Sequence, residues 1–446
     1  MLKLRGAWLL LLGIAALLAL AAAACGGGEE EEEGTRTPAA TGTVAGTSRP
    51  TASPAAAVPG ITDTEIVLGS HFAQTGTLGA VYAPILSALK AYFDYVNTEK
   101  GGVCGRKIVL KAEDDQYDPA KALEVTRKLV EQENIFAMLA GVGTSPHSAV
   151  WDYLNERGIP DLWPITGAHK WGADPKGHPW TVAFAPDYAV EAAVFGKYIS
   201  ENHPGTKVAV LYQNDDFGRD VLGGLKQGLD PSKNQIVSEQ SYESSAVDIR
   251  SQVTNLKETG AEVVVCACIP GFTAQAIKGA NRMGWKPQWI VDYTNADPIM
   301  FTYASPQEME GTLSTWPLKL VGADDPAVAQ HRELMNKYRG GAPGNFTVTG
   351  HVAGILTEEV LKRACDNLTR EGLMDAVHSL KDYQLDLTLP GVTLTYSEDD
   401  HIGPEALRFL RAKIVDGKGV WEYEGGRIDP LPSIAATSSA SARGAS

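Results

Sequence analysis

The fold is decided by residues 158–188, which read GIPDLWPITGAHKWGADPKGHPWTVAFAPDY. The segment begins with an apolar stretch at 159–165 and passes through a loop rich in Gly, His, Lys, Asp and Pro. It then becomes a β-favouring stretch at 180–184, which Ala-Pro-Asp closes. Strands and helices alternate before the segment, and the same alternation begins again after it. We therefore interpret it as the floor of a cleft followed by the first hinge between two lobes.

The alternation itself predicts an α/β fold with parallel sheets, because such strands are joined through crossover helices. Before the central segment, strands are predicted at 65–69, 106–111 and 135–139, and helices at 81–97, 119–134 and 148–157. After it, strands are predicted at 207–212, 236–242, 262–268 and 288–292, again with helices between them. Two similar half-units predict two Rossmann-like lobes.

Bulk composition limits the partners that the chain can have. Its 446 residues suffice for two or three domains with large cores. The formal net charge of -15 argues against a nucleic-acid partner, because phosphate binding needs a basic face.

The N-terminus has the pattern of an export signal. Lys3 and Arg5 precede an uncharged stretch, 6–24, which ends in three Ala residues before Cys25. Residues 1–24 are therefore predicted to be a signal peptide, and Cys25 is predicted to be lipidated, as at a bacterial lipobox. Ala22 stands where a lipobox usually has Leu, and an uncleaved membrane anchor is the alternative. Either reading places the remaining chain outside the cytoplasm.

Two segments lack the apolar residues that a folded core requires. Residues 25–60 contain a Glu run followed by Thr, Ala, Pro, Gly and Ser, and are predicted to form a flexible tether behind the lipid anchor. Residues 426–446 are predicted to be a disordered tail.

Ligands of open parallel sheets bind beyond the carboxyl ends of the strands. In this chain the strand-end loops hold Ser, Thr, Asn, Gly and aromatic residues, which suit a small polar or amphipathic molecule. The candidate ligand-binding residues are Gln74, Thr75, Gly143, Thr144, Ser145, Thr166, Gly167, Ala168, Trp171, Phe217, Pro270, Phe272, Tyr293, Thr294 and Asn295.

The loop GVGTS at 141–145 precedes a helix, so its N–H groups could hold a carboxylate. Ordinary capping of that helix by Ser145 or Ser148 is the alternative. Pro146 stands where a dinucleotide-binding loop needs its third Gly.

Signatures of an enzyme are missing: the sequence has no G-x-S-x-G, HExxH or Walker A motif. His147, His169 and His178 could meet as metal ligands, but solvated loop histidines are the favoured interpretation. The pair Asp114 and Asp115 is interpreted as solvated and helix-capping rather than catalytic. No metal and no cofactor is predicted.

Five cysteines occur, and Cys25 is assigned to lipid. Cys266 and Cys268 share one face of a predicted strand and are expected to be buried free thiols, since a bridge between them would strain the strand. Cys104 and Cys365 fall in the first lobe and in an oxidising compartment, and are predicted to pair.

Several motifs together resemble a known family. They are GGVCGRKI at 101–108, Asp114-Asp115 with Tyr117 and Pro119, GIPDLWPITGAHKW at 158–171, PWTVAFAPDY at 179–188, VLYQNDDFGRD at 210–220, MGWKP at 283–287 and LTREGL at 368–373. In order and spacing they are similar to the substrate-binding proteins of ABC importers, of the branched-chain amino acid type with a type I periplasmic-binding-protein fold. The likeness extends from about residue 61 to 423.

The resemblance implies two lobes joined by three hinge crossings, near 182–185, 315–318 and 389–393. Lobe 1 would then comprise 61–183 and 316–389, and lobe 2 would comprise 184–315 and 390–425. It also implies that Ser145 and the segment 166–168 hold a ligand carboxylate, and that Phe217 covers the ligand. The loop Asp-Tyr-Thr-Asn at 292–295 does not establish the acid that grips an amino group in amino-acid binders. An aromatic or other apolar carboxylate is therefore as well supported as leucine.

The predicted function is capture of a small amphipathic molecule by hinge closure and its delivery to an ABC permease by a monomeric lipoprotein. A sensory subunit for a membrane receptor or kinase is the second hypothesis. A secreted amide hydrolase on a similar fold is a remote third.

Overall fold

Two β-sheets organise the chain in the computed structural model, which describes residues 57–404 and 406–429. The predictions for the signal peptide, for Cys25 and for most of the tether and the tail concern residues outside these ranges. Along the described ranges, no helix has the length and apolar character needed to cross a membrane.

The first sheet has five parallel strands in the order β2-β1-β3-β4-β5. Its strands are β1 (Glu65–Phe72), β2 (Lys107–Asp114), β3 (Ala137–Leu139), β4 (Asp161–Leu162) and β5 (Thr181–Val182). The helices along this part of the chain are α1 (Gly76–Glu99), α2 (Pro119–Glu131), α3 (Thr144–Glu156) and α4 (Lys170–Ala173).

The second sheet has seven strands in the order β14-β13-β10-β9-β8-β6-β7, parallel from β10 to β7 and antiparallel at β13 and β14. Its strands are β6 (Lys207–Gln213), β7 (Gln235–Tyr242), β8 (Val263–Ala267), β9 (Gln288–Val291), β10 (Leu313–Trp316), β13 (Leu407–Val415) and β14 (Lys418–Ile428). The helices in this region are α5 (Tyr188–Asn202), α6 (Asp216–Gly228), α7 (Arg250–Glu258), α8 (Pro270–Arg282), α9 (Met300–Tyr303) and α10 (Pro306–Met309), with a 3-10 turn at Tyr293–Asn295.

After β10 the chain returns to the first lobe. It forms α11 (Pro326–Lys337), α12 (Asn345–Arg363), α13 (Arg370–His378) and the small ladder of β11 (Tyr383–Gln384) with β12 (Thr393–Leu394). A Cβ at Gly350 of α12 would lie 2.0 Å from the carbonyl oxygen of Ile85 in α1, so glycine permits close packing of these helices. Arg370 in α13 donates to the carbonyl oxygen of Phe136 at 3.0 Å.

The prediction of two α/β lobes with mostly parallel sheets is therefore confirmed. Capping residues in the sequence mark the starts of several helices: Asp118 caps α2 ahead of Pro119, and Asp187 caps α5. Helix α1 begins at Gly76, before the predicted residue 81, because the glycines that suggested a loop lie in its first turn.

The chain passes between the sheets after β5, after β10 and before β13. The third passage was predicted near 389–393, but the second sheet resumes only at Leu407. Before that point the chain stays close to the first crossing, since Ala183 donates its N–H to the carbonyl oxygen of His401 at 3.0 Å. The lobe boundaries remain a prediction. Strand β14 reaches Ile428, inside the segment predicted to be tail.

Cysteines form two disulfides among the described residues. Cys104 is joined to Cys365, with Cα atoms 5.3 Å apart and 261 residues between them in sequence. Cys266 is joined to Cys268. The expectation of free thiols at these two positions is therefore wrong: β8 ends at Ala267, so Cys268 lies beyond the strand that a bridge was expected to strain.

Candidate functional site

A cavity lies beyond the carboxyl ends of strands from both sheets. Most of its lining side chains are aromatic or aliphatic, and the polar ones are threonines and tyrosines. The lining residues are Tyr82, Ile85, Tyr117, Gly143, Thr144, Ile165, Phe184, Ala185, Pro186, Tyr188, Phe217, Ile269, Tyr293, Thr294, Trp316, Pro317, Leu318, Phe346 and Thr349. Within the described part of the chain, this lining contains no Lys, Arg, His, Asp or Glu.

Both lobes and two of the crossings supply the cavity walls. Helices α1, α3 and α12 contribute from the first lobe, and α6 with the 3-10 turn after β9 contributes from the second. The crossing at 184–186 and the crossing at 316–318 form the remaining wall. A molecule in this cavity would therefore touch both lobes and the connections between them.

Aromatic rings pack against each other around the cavity in two groups. In one group, Tyr188 lies between Phe217 and Tyr293, with ring centroids 4.6 Å and 5.3 Å away. In the other, Phe346 contacts Tyr82 at 5.9 Å and Trp316 at 6.3 Å. Such rings offer broad apolar surfaces of defined geometry, which suit a flat or apolar ligand.

The lining tyrosines remain neutral phenols at physiological pH. Burial raises the pKa of Tyr82, Tyr117 and Tyr293 well above the ordinary value for tyrosine. Burial acts in the same direction on the pKa of Tyr188. Their hydroxyl groups can therefore both donate and accept hydrogen bonds inside the cavity.

The N-terminus of α3 supplies the main-chain donors of the site. Gly143 precedes the helix with a φ of 90°, and no side chain caps it. The N–H groups of Thr144 and Ser145 have no acceptor among the described residues, and Pro146 has no N–H. Capping by Ser145 or Ser148, the alternative for this loop, is not observed, because Ser148 instead donates its hydroxyl to the carbonyl oxygen of Thr144 at 2.7 Å. Two free donors at a helix N-terminus favour an anion.

Thr144 has a second polar partner beside the cavity. Its hydroxyl oxygen lies 2.5 Å from that of Thr166, which in turn accepts the indole N–H of Trp171 at 3.4 Å. This chain of hydrogen bonds fixes the rotamer of Thr144 and ties the start of α3 to the loop after β4.

A chain of four buried ionisable groups lies beneath the start of α3. Nδ1 of His71 is 2.7 Å from Asp115, and Nε2 of His147 is 2.9 Å from Asp161. All four side chains are fully buried. The expectation that His147 and Asp115 are solvated is therefore wrong: both side chains are fully buried and bond to other buried groups of the first lobe.

The other histidines considered as metal ligands lie elsewhere. His169 pairs with Asp187 at 2.5 Å, and His178 pairs with Asp152 at 3.0 Å. Among residues 57–404 and 406–429, no three His, Cys, Asp or Glu side chains are grouped so that they could hold a metal ion.

Two buried acids lie behind the 3-10 turn. Glu191 of α5 accepts the N–H of Tyr293 at 2.9 Å and the hydroxyl of Thr315, while its Oε2 has no partner among the described residues. Burial, reinforced by Asp292, raises the pKa of Glu191 well above its ordinary value. Burial also raises the pKa of Asp292 to about 7, against hydrogen bonds from Thr294 that lower it.

Five of the residues predicted to bind ligand line the cavity: Gly143, Thr144, Phe217, Tyr293 and Thr294. The remaining predicted residues do not line it. They are Gln74, Thr75, Ser145, Thr166, Gly167, Ala168, Trp171, Pro270, Phe272 and Asn295. The roles given to all of these residues in ligand binding remain predictions.

Several of the residues outside the lining support it instead. Thr166 and Trp171 hold Thr144, as described above. Gly167 accepts the N–H of Tyr188 at 2.8 Å, which positions that ring. Asn295 donates to the carbonyl oxygen of Cys268 at 2.9 Å and to Asp292 at 3.0 Å, which fixes the 3-10 turn.

Others face away from the cavity. Phe272 packs against Tyr242 with ring centroids 4.4 Å apart, and Pro270 begins α8. Ala168 packs in a small cluster with Trp171. Gln74 and Thr75 donate their N–H groups to Asp114, at 2.9 Å and 3.3 Å.

Sequence reasoning missed most of the aromatic lining. Tyr82, Trp316 and Phe346 come from a helix face, a strand end and a helix that returns from the opposite half of the sequence. Tyr117 and Tyr188 belonged to the motifs quoted for the family resemblance, so that resemblance was the one signal that pointed to them.

The fold and cavity together define the class of two-lobed solute-binding proteins. The chain belongs to the periplasmic binding protein family, whose model matches residues 65–419. The resemblance to the type I fold is thus confirmed. The family is one of non-enzymatic, extracytoplasmic substrate-binding proteins of ABC transporters.

Individual relatives are distant. The Leu/Ile/Val-binding protein homolog 7 of Brucella suis is 27% identical over 246 residues, which are 51% of this chain and 58% of the relative. The chain therefore spans less than two thirds of that protein's length.

Solved structures share the fold over most of the chain. A fatty acid ABC transporter substrate-binding protein from Thermomonospora curvata has a TM-score of 0.72 and 24% identity, covering 82% of this chain and 93% of its own. A branched chain amino acid ABC transporter protein from Thermus thermophilus with bound valine has a TM-score of 0.73 and 22% identity, and the match covers 83% of this chain and 98% of that protein.

Proposed function

We propose that this chain captures a small aromatic or apolar carboxylate in the cavity. The observation that carries the proposal is the combination of an aromatic lining free of charged side chains with two unpaired N–H donors at the start of α3. The rings would bury the apolar body of the ligand, and the N–H groups of Thr144 and Ser145 would bind its carboxylate.

An amino-acid ligand is less well supported by the described residues. An α-ammonium group needs an ionised acid within reach, and none lines the cavity. Asp292 and Glu191 lie behind the lining and bond to neighbouring groups of the protein. One of the two structural neighbours is a fatty acid substrate-binding protein and the other has bound valine; both molecules have an apolar body and a carboxylate, and the cavity would accommodate this shared chemistry.

Ligand binding would close the lobes. The donors belong to the first lobe, whereas Phe217, Tyr293 and Thr294 belong to the second. Contacts to both lobes exist together only in the closed form, so the ligand shifts the population toward it. The closed monomer would then present the ligand to an ABC permease.

The remaining parts of the proposal concern the membrane. Cys25 would carry the lipid, and residues 25–60 would tether the lobes to the membrane surface. A sensory role beside a membrane receptor or kinase is the second candidate function. If the protein serves transport, uptake of labelled ligand into vesicles that contain the permease should require it. If Cys25 carries the lipid, the variant Cys25→Ser should no longer incorporate labelled palmitate.

A binding screen tests the ligand class. Protein that has been unfolded and refolded to remove bound molecules is titrated calorimetrically with benzoate, phenylacetate, octanoate, valine and leucine. We expect carboxylates without an amino group to bind, and at 100 times Kd to stabilise the fold by about 2.7 kcal/mol. Binding of leucine or valine alone would contradict the proposed ligand class.

A further inference from the structure

The indole N–H of Trp316 is a buried donor that the protein leaves without a partner. Trp316 is 2% exposed and lines the cavity, and its Nε1 has no acceptor among the described residues. A buried donor left unsatisfied is costly, and indole can only donate. The buried indole of Trp421, in contrast, donates to the carbonyl oxygen of Asp297 at 3.2 Å.

The position of Trp316 makes it part of the ligand site rather than of the core alone. It ends β10 and precedes Pro317 and Leu318, which belong to the second crossing and also line the cavity. Trp151 and Trp163 also have unpaired indole nitrogens, but neither lines the cavity. Trp316 is therefore the indole whose missing acceptor a bound molecule can provide.

The carboxylate donors lie elsewhere in the cavity. They are main-chain N–H groups at the start of α3, in the first lobe, whereas β10 is a strand of the second sheet. A ligand whose carboxylate is held at α3 and whose body reaches β10 would offer a different atom to Trp316. Since no acidic side chain of the described lining competes for the indole N–H, its partner must come from the ligand or from solvent.

We infer that Trp316 selects ligands that carry a second oxygen acceptor, such as a methoxy, keto or hydroxyl group, in addition to the carboxylate. This inference rests on the proposed function and narrows it to oxygenated aromatic or apolar carboxylates. The indole ring packs against Phe346, and this contact limits the directions in which the N–H can point.

Pairs of ligands with the same number of non-hydrogen atoms provide the test. Isothermal titration compares 4-methoxybenzoate with 4-ethylbenzoate, and 3-methoxybenzoate with 3-ethylbenzoate, because each pair differs only in an acceptor oxygen. The wild-type protein should prefer one methoxy compound over its ethyl partner by about fivefold to tenfold. The variant Trp316→Phe, which keeps a ring but removes the N–H, should lose this preference.

Trp163→Phe is the matched control, since it removes an equally buried and unpaired indole N–H away from the cavity. It should retain the wild-type preference. Equal binding of methoxy and ethyl partners by the wild-type protein would overturn the inference and leave the proposed function standing. A preference that survives in Trp316→Phe would also overturn it, whereas failure of every carboxylate to bind would overturn both.

Discussion

Nε2 of His71 lies 3.0 Å from Nδ1 of His147, deep beneath the N-terminus of α3. The other nitrogen of each ring bonds a buried carboxylate, Asp115 for His71 and Asp161 for His147. These hydrogen bonds fasten the ends of β1, β2 and β4 to α3.

Replacing His147 tests how strongly this chain stabilises the first lobe. His147→Ala removes the imidazole that bonds the buried carboxylate of Asp161 and Nε2 of the buried His71, so the free energy of unfolding should fall by about 3–5 kcal/mol in urea titrations. His178→Ala, which removes a histidine paired with the exposed Asp152, should cost no more than about 1 kcal/mol. Adding Asp161→Asn to His147→Ala should recover part of the loss. Equal losses for the two alanine variants would contradict the assignment.

The sequence predicted the fold well because its determinants are local. Alternating strands and helices with Asp, Thr and Pro at helix starts place each βαβ unit, and the parallel sheets follow from them. The return of α11, α12 and α13 to the first lobe is not local. It depends on packing such as that of Gly350 against Ile85, which no periodicity encodes.

Residues of the site could be predicted only where they come soon after a strand in the sequence. Gly143, Phe217 and Tyr293 lie in strand-end loops, and the rule for open sheets found them. Phe346 reaches the cavity from α12, far away in sequence from the loops it faces. The pair His71 and His147 is likewise separated by 76 residues, so its burial becomes visible only in three dimensions.

A second histidine pair makes the fold sensitive to acid. Nδ1 of His331 lies 3.0 Å from Nδ1 of His351. Burial, with a smaller contribution from Arg332, lowers the pKa of His331 to about 4, and burial, with the neighbouring His331 and Lys100, lowers the pKa of His351 to about 3. As the pH falls, both histidines are protonated in the unfolded chain before they are protonated in the folded protein. The stability of the fold that depends on these neutral histidines is therefore fully present above about pH 6.5 and is lost as the pH falls toward their pKa values in the folded state.

The double variant His331→Gln with His351→Gln should therefore lose less stability than the wild type between pH 7 and pH 5. Each histidine contributes up to about 1.4 kcal/mol per pH unit in that window. Thermal melts at half-unit intervals measure the slope. An unchanged slope in the double variant would refute the explanation.

Glu191 should have the opposite effect on pH dependence. Burial and the neighbouring Asp292 raise its pKa, so the folded state keeps a proton that the unfolded chain releases near pH 4. Its contribution is full below that pH and is lost as the pH rises. Glu191→Gln keeps the acceptor for Tyr293 and remains neutral, so at pH 8 it should unfold about 1–3 kcal/mol less easily than the wild type. At pH 4 the two should be equal.

Glu201→Gln is the control for that measurement, because Glu201 lies exposed on the same helix. Denaturant titrations at pH 4, 6 and 8 give the comparison. A gain at pH 8 that also appears at pH 4, or that Glu201→Gln reproduces, would show that the buried proton is not its source.

Gly143→Ala should separate ligand binding from folding. Gly143 has a φ of 90°, and a Cβ there would lie 2.3 Å from Cε2 of Tyr117. The ring of Tyr117 must then move within the cavity, and the backbone before α3 is strained by about 1–3 kcal/mol. We expect affinity for the carboxylate that binds the wild type to fall at least about tenfold, which is about 1.4 kcal/mol. Gly271→Ala is the matched control, because no atom lies within 4 Å of its added Cβ. Calorimetric titration of folded Gly143→Ala with wild-type affinity would show that the start of α3 does not hold the ligand.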